Sequence, residues 1–167
     1  MPKRRPAHPK DAASLAALSI EVWLSTYLKR GVSAPFADYV LSEFTAAALT
    51  AAISDPSQTI HVAEGPDGVE GYLRLKHPDN AADGREAEVA TLYIRPCCHR
   101  RGIGRALLAE AITQARAAQY SALWLTANVD NKAALAFYAA EGFEITGTKD
   151  FELDGVGYPN HILRRIL

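Results

Sequence analysis

The run Val89-Ala-Thr-Leu-Tyr-Ile94, followed by Arg95-Pro-Cys-Cys-His-Arg-Arg-Gly-Ile-Gly-Arg105, constrains this chain more than any other stretch. The apolar run reads as a buried strand. Beyond the basic turn, Ile103, Leu107, Leu108, Ala111, Ile112 and Ala115 recur at helical spacing. A strand therefore passes through a short turn straight into a helix, the connection from which α/β sheets are built. The same layout suits an anion. The first turn of a helix has unpaired N–H groups and a partial positive charge. Glycines let backbone approach a phosphate, and Arg100, Arg101 and Arg105 add cations. The ligand expected here is a cofactor that carries a diphosphate.

Two common phosphate motifs do not fit. The P-loop needs Lys-Ser or Lys-Thr after its last glycine, whereas Gly104 is followed by Arg105-Ala106. The dinucleotide fingerprint needs a small residue three positions after its second glycine, and Leu107 stands there.

The wider context resembles the GNAT superfamily of N-acetyltransferases. The residues that carry the resemblance are Ala87 to Pro96 and Arg101-Gly-Ile-Gly-Arg-Ala-Leu-Leu108. Farther along come Leu123-Trp-Leu-Thr126, then Asn128, Asn131, Ala134 and Phe137-Tyr-Ala-Ala-Glu-Gly-Phe143. The family's pyrophosphate loop usually opens with Gln or Arg three residues before the first glycine. Here that residue is His99, whose charge depends on pH. The resemblance spans about Arg5 to Leu167. It implies acetyl-CoA as cosubstrate and a mostly antiparallel, twisted mixed sheet of 6–7 strands. In that fold the two central strands splay apart and helices cover both faces.

The residue pattern gives the same order. Asp11 is placed to cap a helix with Leu15, Leu18 and Val22 on one face. Helices are expected over Pro35–Phe44 and Thr45–Ile53, and strands over Thr59–Glu64 and Val69–Lys76. His77 to Arg85 reads as a polar loop. Next come a strand at Ala87–Ile94, a helix at Ile103–Gln119, a strand at Ala122–Thr126 and a helix at Lys132–Glu141. Phe143–Ile145, Thr148–Leu153 and His161–Leu167 supply the last strands, with Asp154-Gly155 as a hairpin turn. The prolines at 2, 6 and 9 make a poor edge strand of residues 1–10.

At 167 residues the chain is expected to form one acetyltransferase domain, 1–167. A net charge of -1 gives no case for nucleic-acid binding. The adjacent Cys97 and Cys98 fit neither a disulfide framework nor a metal pattern. They read as turn residues in a reducing compartment, with a reactive Cys98 as the minor alternative. The five histidines lack metal-ligand spacing. No run approaches the ~18 apolar residues of a membrane span, and the basic, proline-rich start lacks the apolar region of a secretory signal. A cytoplasmic protein without a membrane partner is expected.

Acetyl transfer to an amine requires a base for the amine proton, a donor for the oxyanion and an acid for the departing thiolate. The resemblance puts a catalytic glutamate at Glu88, often acting through a water; the plain alternative is a surface glutamate at a strand end. It also turns the Tyr138 hydroxyl toward the cofactor sulfur as the acid, against the alternative of a packing tyrosine. Leu92, Tyr93 and Ile94 would offer backbone groups to the pantetheine arm and the oxyanion. His99, Arg100, Arg101, Gly102, Ile103, Gly104 and Arg105 would hold the pyrophosphate. Asn131 is either a contact to the cofactor arm or a helix cap. Trp23 and Trp124 read as core or cleft-wall residues.

The acceptor would be set by the N-terminal helices, the 77–86 loop and the final hairpin. Trp23–Tyr27, Tyr39–Phe44 and Phe151–Gly155 resemble small-molecule members, including the spermidine/spermine group. A polyamine would need carboxylates, and Glu21, Asp38, Glu43, Glu152 and Asp154 are the candidates. The rival readings are a non-catalytic acyl-CoA-binding module and an enzyme that acetylates protein N-termini or lysines. A homodimer paired through the strand ending Ile162–Leu167 is expected on analogy alone.

Overall fold

The computed structural model describes residues 1–78 and 85–167. Seven strands form one sheet in the order β1-β2-β3-β4-β5-β7-β6. They are β1 (Lys3–Pro6), β2 (Gln58–Gly65), β3 (Gly68–Lys76), β4 (Glu86–Ile94), β5 (Ala122–Asn128), β6 (Glu144–Leu153) and β7 (Val156–Ile166). Every neighbouring pair is antiparallel except β4 and β5, which run parallel.

Five helices cover the sheet: α1 (Ala12–Tyr27), α2 (Ala34–Glu43), α3 (Ala46–Ser54), α4 (Ile103–Ala117) and α5 (Lys132–Ala140). The hydrophobic periodicities decide which face each one covers. Leu15, Leu18 and Val22 of α1 join Leu49 and Ala52 of α3 over Ile60, Val62 and Tyr72. The stripe Ile103, Leu107, Leu108, Ala111, Ile112 and Ala115 of α4 packs on the opposite face against Leu73, Leu75, Val89, Leu123 and Leu125. Fully burying one such leucine is worth about 2 kcal/mol, so these two stripes fix the layering.

The structure departs from the sequence pattern in a few places. Residues 3–6 do form a strand. Pro6 is tolerated there because β1 is an edge and pairs with β2 alone. Asp11 precedes α1 but makes no cap to it. Its carboxylate turns back to accept the His8 N–H at 2.7 Å and the Arg5 guanidinium at 2.7 and 3.0 Å. The helix after Gly102 ends at Ala117, two residues early, because Gln119 takes a left-handed φ of 59°. The segments at 143–145 and 148–153 are one strand, β6, with its register shifted between Ile145 and Gly147. Phe143 lies outside it, buried in the core. The hairpin turn holds as expected, with Asp154 and Gly155 at φ 51° and 72°. Residues 79–84 of the polar loop lie outside the described residues.

One feature of the sheet positions everything that follows. β4 pairs with β5 only from Glu86 to Glu88, opposite Ala122 to Trp124. Beyond that seam β5 continues against β7 alone, and β4 continues against β3 alone. A register shift between Arg74 and Leu75, opposite Thr91 and Val89, leaves Ala90 as a bulge where the divergence begins. The central strands therefore open into a V-shaped cleft toward the α4 N-terminus.

Candidate active site

The free edge of β4 lines this cleft. The Arg95 N–H donates to Glu70 O of β3 at 3.0 Å. Backbone groups alternate sides along a strand, so Tyr93 also faces β3, opposite Tyr72. Leu92 and Ile94 face the cleft, with no strand to pair them. Buried or half-buried backbone groups demand partners, and an extended arm with amide groups would supply them. The Ile94 carbonyl already has one: the His99 ring lies with Nε2 at 2.9 Å from it. The Leu92 N–H and C=O and the Ile94 N–H remain for a ligand.

The glycine turn closes the upper end of the cleft. Pro96–Cys98 is a short 3-10 turn, Arg100 sits at φ 62°, and Gly102 at φ 76° caps α4. Gly102 is needed for that left-handed backbone. Gly104 is under no such backbone demand. A Cβ there would meet Ile94 Cγ1 and Phe137 Cζ at 3.7 Å, ordinary contacts, so the protein itself does not exclude a side chain. The N–H groups of Ile103, Gly104 and Arg105 precede the first helical bond, Ala106 N–H to Gly102 O, so the helix itself gives them no acceptor. A diphosphate fits this cradle.

The arginines are less free than their sequence positions suggest. Arg95 pairs with Glu21 at 2.7 Å, Arg101 with Glu70 at 3.2 Å and Arg105 with Glu141 at 2.6 Å. Among the described residues Arg100 is the arginine of this turn without a carboxylate partner. Cys97 is exposed and Cys98 buried, and burial pushes the Cys98 thiol upward, which removes the thiolate a reactive cysteine would need.

α5 brings the second motif against the first. Asn131 is its N-cap, its side-chain oxygen accepting the Ala134 N–H at 3.1 Å. Phe137 reaches Gly104. Tyr138 is buried and packs edge-on with Phe137 and Phe143, at centroid distances of 5.2 and 5.7 Å. Burial pushes its phenol well above the usual tyrosine range. The hydroxyl has no hydrogen-bond partner among the described residues.

Glu88 stands at the apex of the V. Ala87 and Val89 point into the α4 core, so Glu88 faces the α1 side. It lines a cavity of about 260 Å³ with Lys76, His77, Glu86 and Trp124. Glu86 is held by Arg164 at 2.5 Å. His77 is oriented by Thr59 at 2.7 Å and Tyr120 at 3.0 Å. Glu88 itself has no ion pair or hydrogen bond among the described residues. Its neighbours Lys76, His77 and Trp124 come from other strands, and no local spacing in the sequence announces them.

Farther up the same face, rings from distant segments converge. Trp23 stacks on Tyr27 at 4.4 Å and meets Phe36 and Tyr39 at 5.3 and 5.0 Å. Phe151 of β6 approaches Tyr39 at 5.2 Å, and Tyr158 of β7 approaches Phe36 at 5.5 Å. Helical spacing puts the α2 rings on one face; nothing in the sequence brings the β6–β7 hairpin to them.

The acetyltransferase (GNAT) family model matches residues 19–143. This chain belongs to that family. It is an N-acetyltransferase at the family level, and the acetyl donor is acetyl-CoA. An uncharacterized N-acetyltransferase of Mycobacterium tuberculosis is 30% identical over 159 residues, covering 94% of this chain and 98% of its own. Aminoglycoside N(6')-acetyltransferase type 1 of Stenotrophomonas maltophilia is 29% identical over 150 residues, covering 87% and 88%. Among solved structures, the PaiA N-acetyltransferase of Thermoplasma acidophilum in complex with coenzyme A superimposes with a TM-score of 0.82 at 20% identity. That superposition covers 100% of this chain and 99% of the other. Among the described residues no group of His, Cys, Asp and Glu is placed to hold a metal, and no single helix is long and apolar enough to cross a membrane.

Proposed function

We propose that this chain, folded as one domain over 1–167, moves the acetyl group of acetyl-CoA to the primary amine of a small molecule within a ternary complex. The observation that carries the reading is the cleft itself. β4 leaves β5 directly above Glu88, so an unpaired strand edge leads from a carboxylate to a helix N-terminus. A relative that matches most of the chain is named for acetylating an aminoglycoside, a small-molecule amine. A cytoplasmic location belongs to the same proposal.

Acetyl-CoA supplies an activated thioester. Its diphosphate would lie on the N–H groups of Gly102, Ile103, Gly104 and Arg105, with Arg100 as the nearby free cation. Arg101 would have to exchange its bond to Glu70 to take part. His99 would act on the ligand through Ile94, whose carbonyl it holds. The arm would pair with Leu92 and Ile94, and Asn131 would fix the start of α5 beside it. Tyr93 would contribute its ring to the cleft wall, since its backbone faces β3.

In the transfer, Glu88, directly or through a water, takes the proton from the attacking ammonium. The amine lone pair forms the C–N bond. A cleft-facing N–H of Leu92 or Ile94 stabilises the oxyanion. The C–S bond then breaks, and the thiolate takes a proton from Tyr138. The Tyr138 phenolate recovers one from the nitrogen to leave a neutral amide, and Glu88 releases the first proton to solvent. A phenol raised by burial is fully protonated at neutral pH and thus present as a donor.

The polyamine-like version of the acceptor has little support. Asp38, Glu43, Glu152 and Asp154 are exposed, and Glu21 is committed to Arg95.

The test is thiol release from acetyl-CoA across a panel of primary amines, for the native protein and Glu88→Gln. The expected result is turnover that falls about a hundredfold in the variant, with affinity for acetyl-CoA unchanged. Equal turnover in both proteins would remove Glu88 from the chemistry.

A further inference from the structure

We infer that the acceptor presents its amine on an aromatic or flat apolar body, received by the rings of α1, α2 and the β6–β7 hairpin. This deepens the transferase reading above and rests on it.

Tyr93 lies five residues beyond Glu88 on β4, on the same side of the sheet. Its ring meets Phe44 at 6.4 Å and Tyr72 at 5.9 Å, and Phe44 meets Tyr39 at 6.3 Å. Tyr27 in turn lies against Asn128, at the open end of β5. The ring assembly thus spans both lips of the cleft on the side away from α4. A molecule that offers its nitrogen to a thioester in the cleft from this side must pass these rings.

Trp23 is buried, only 4% exposed, and acts as the backing. Tyr27, Phe36, Tyr39, Phe151 and Tyr158 stand around it half-buried. The rings present a face that is not sealed by the chain's own core. Edge-to-face and stacked geometries of this kind extend naturally to one more flat ring.

Burial raises the Tyr27 and Tyr93 phenols, and Tyr39 is pushed up to about 12, so all three are neutral at working pH. Glu43 is the carboxylate that acts on Tyr39, and it is an exposed residue. A neutral aromatic wall can hold one ammonium over a ring face. It offers no counter-charge to the second and third ammonium groups of a polycation, whose desolvation would go uncompensated.

The experiment compares 2-phenylethylamine with spermidine and kanamycin in the thiol-release assay, with acetyl-CoA binding followed separately by calorimetry. The expected kcat/KM for 2-phenylethylamine exceeds that of either polycation by about tenfold or more. In Phe151→Leu and Phe151→Ala the KM for 2-phenylethylamine rises, by about tenfold in the alanine variant, while kcat and the KM for acetyl-CoA stay within about twofold. The leucine variant keeps the test readable if alanine impairs folding. A preference for spermidine or kanamycin, or an unchanged KM in the Phe151 variants, would overturn the inference and leave the transferase reading intact. No turnover of any of the three amines, with acetyl-CoA still bound, would bring down the small-amine reading and this inference with it.

Discussion

Tyr138, the proposed acid, owes its protonation state to its surroundings. Its ring is fixed by Phe137 and Phe143, while its hydroxyl is bonded to no described residue. Burial disfavours the phenolate, so the folded value lies above the ordinary 10 and the proton is retained throughout the working range. Tyr138→Phe removes the proton and little else. It is expected to lower kcat by about a hundredfold at every pH between about 6 and 9, without changing the shape of the profile. Acetyl-CoA affinity and melting temperature should stay as they are. A variant that lost activity only at alkaline pH would show that the phenol titrates there, against the burial argument. Glu88 is the matching case: an unpaired carboxylate at the one point where the central strands part.

Among the elements, the turn from β4 into α4 has two conformational demands and one chemical one. Arg100 adopts a left-handed φ of 62°, which costs a residue with a Cβ and costs glycine little. Arg100→Gly should therefore raise the melting temperature by about 2 °C while weakening acetyl-CoA binding. Opposite signs in the two measurements would separate the backbone role from the charge role; a fall in both would contradict it. The β1–α1 corner is a different device. The Arg5 guanidinium beside Asp11 holds that carboxyl below the ordinary range. A depressed carboxylate contributes stability above its unfolded value, and the contribution is lost as pH falls through the folded one. Asp11→Asn should cost about 2 kcal/mol near neutral pH in urea unfolding, with the gap closing as pH falls below the ordinary carboxylate value and through the depressed folded one.

These elements also show what a sequence reader can and cannot find. The α4 stripe, the glycine turn and the Asn131 cap are local patterns, and each lies where its spacing places it. The Asp11 carboxylate misleads because its partner, Arg5, comes from a strand that the prolines disfavour. The two short segments around Thr146 read as separate strands because a bulge breaks their alternation. The arginines of the turn look like free cations until Glu21, Glu70 and Glu141 arrive from other elements. The ring assembly is the clearest case: Phe151 and Tyr158 sit more than a hundred residues from Trp23, and only the fold joins them.

On the scale of the whole molecule, the sheet is two halves held by a short parallel seam and by α4. One half is β1–β4 under α1 and α3; the other is β5, β7 and β6 with α5 beside it. A cosubstrate lying along Leu92 and Ile94 replaces the strand partner that β4 lacks. Binding should therefore stabilise the fold as mass action requires, by about 2.7 kcal/mol at a hundredfold excess over Kd. The most direct test of the account is a calorimetric titration with acetyl-CoA, on the native protein and on an Arg100→Glu, Gly104→Asp variant. The account predicts binding with a Kd on the order of micromolar for the native chain. It predicts none for a variant that melts cooperatively, because a carboxylate would occupy the diphosphate cradle. Equal binding to both proteins, or no binding to a folded native chain, would contradict the claim that acetyl-CoA lies in this cleft with its diphosphate at the α4 N-terminus.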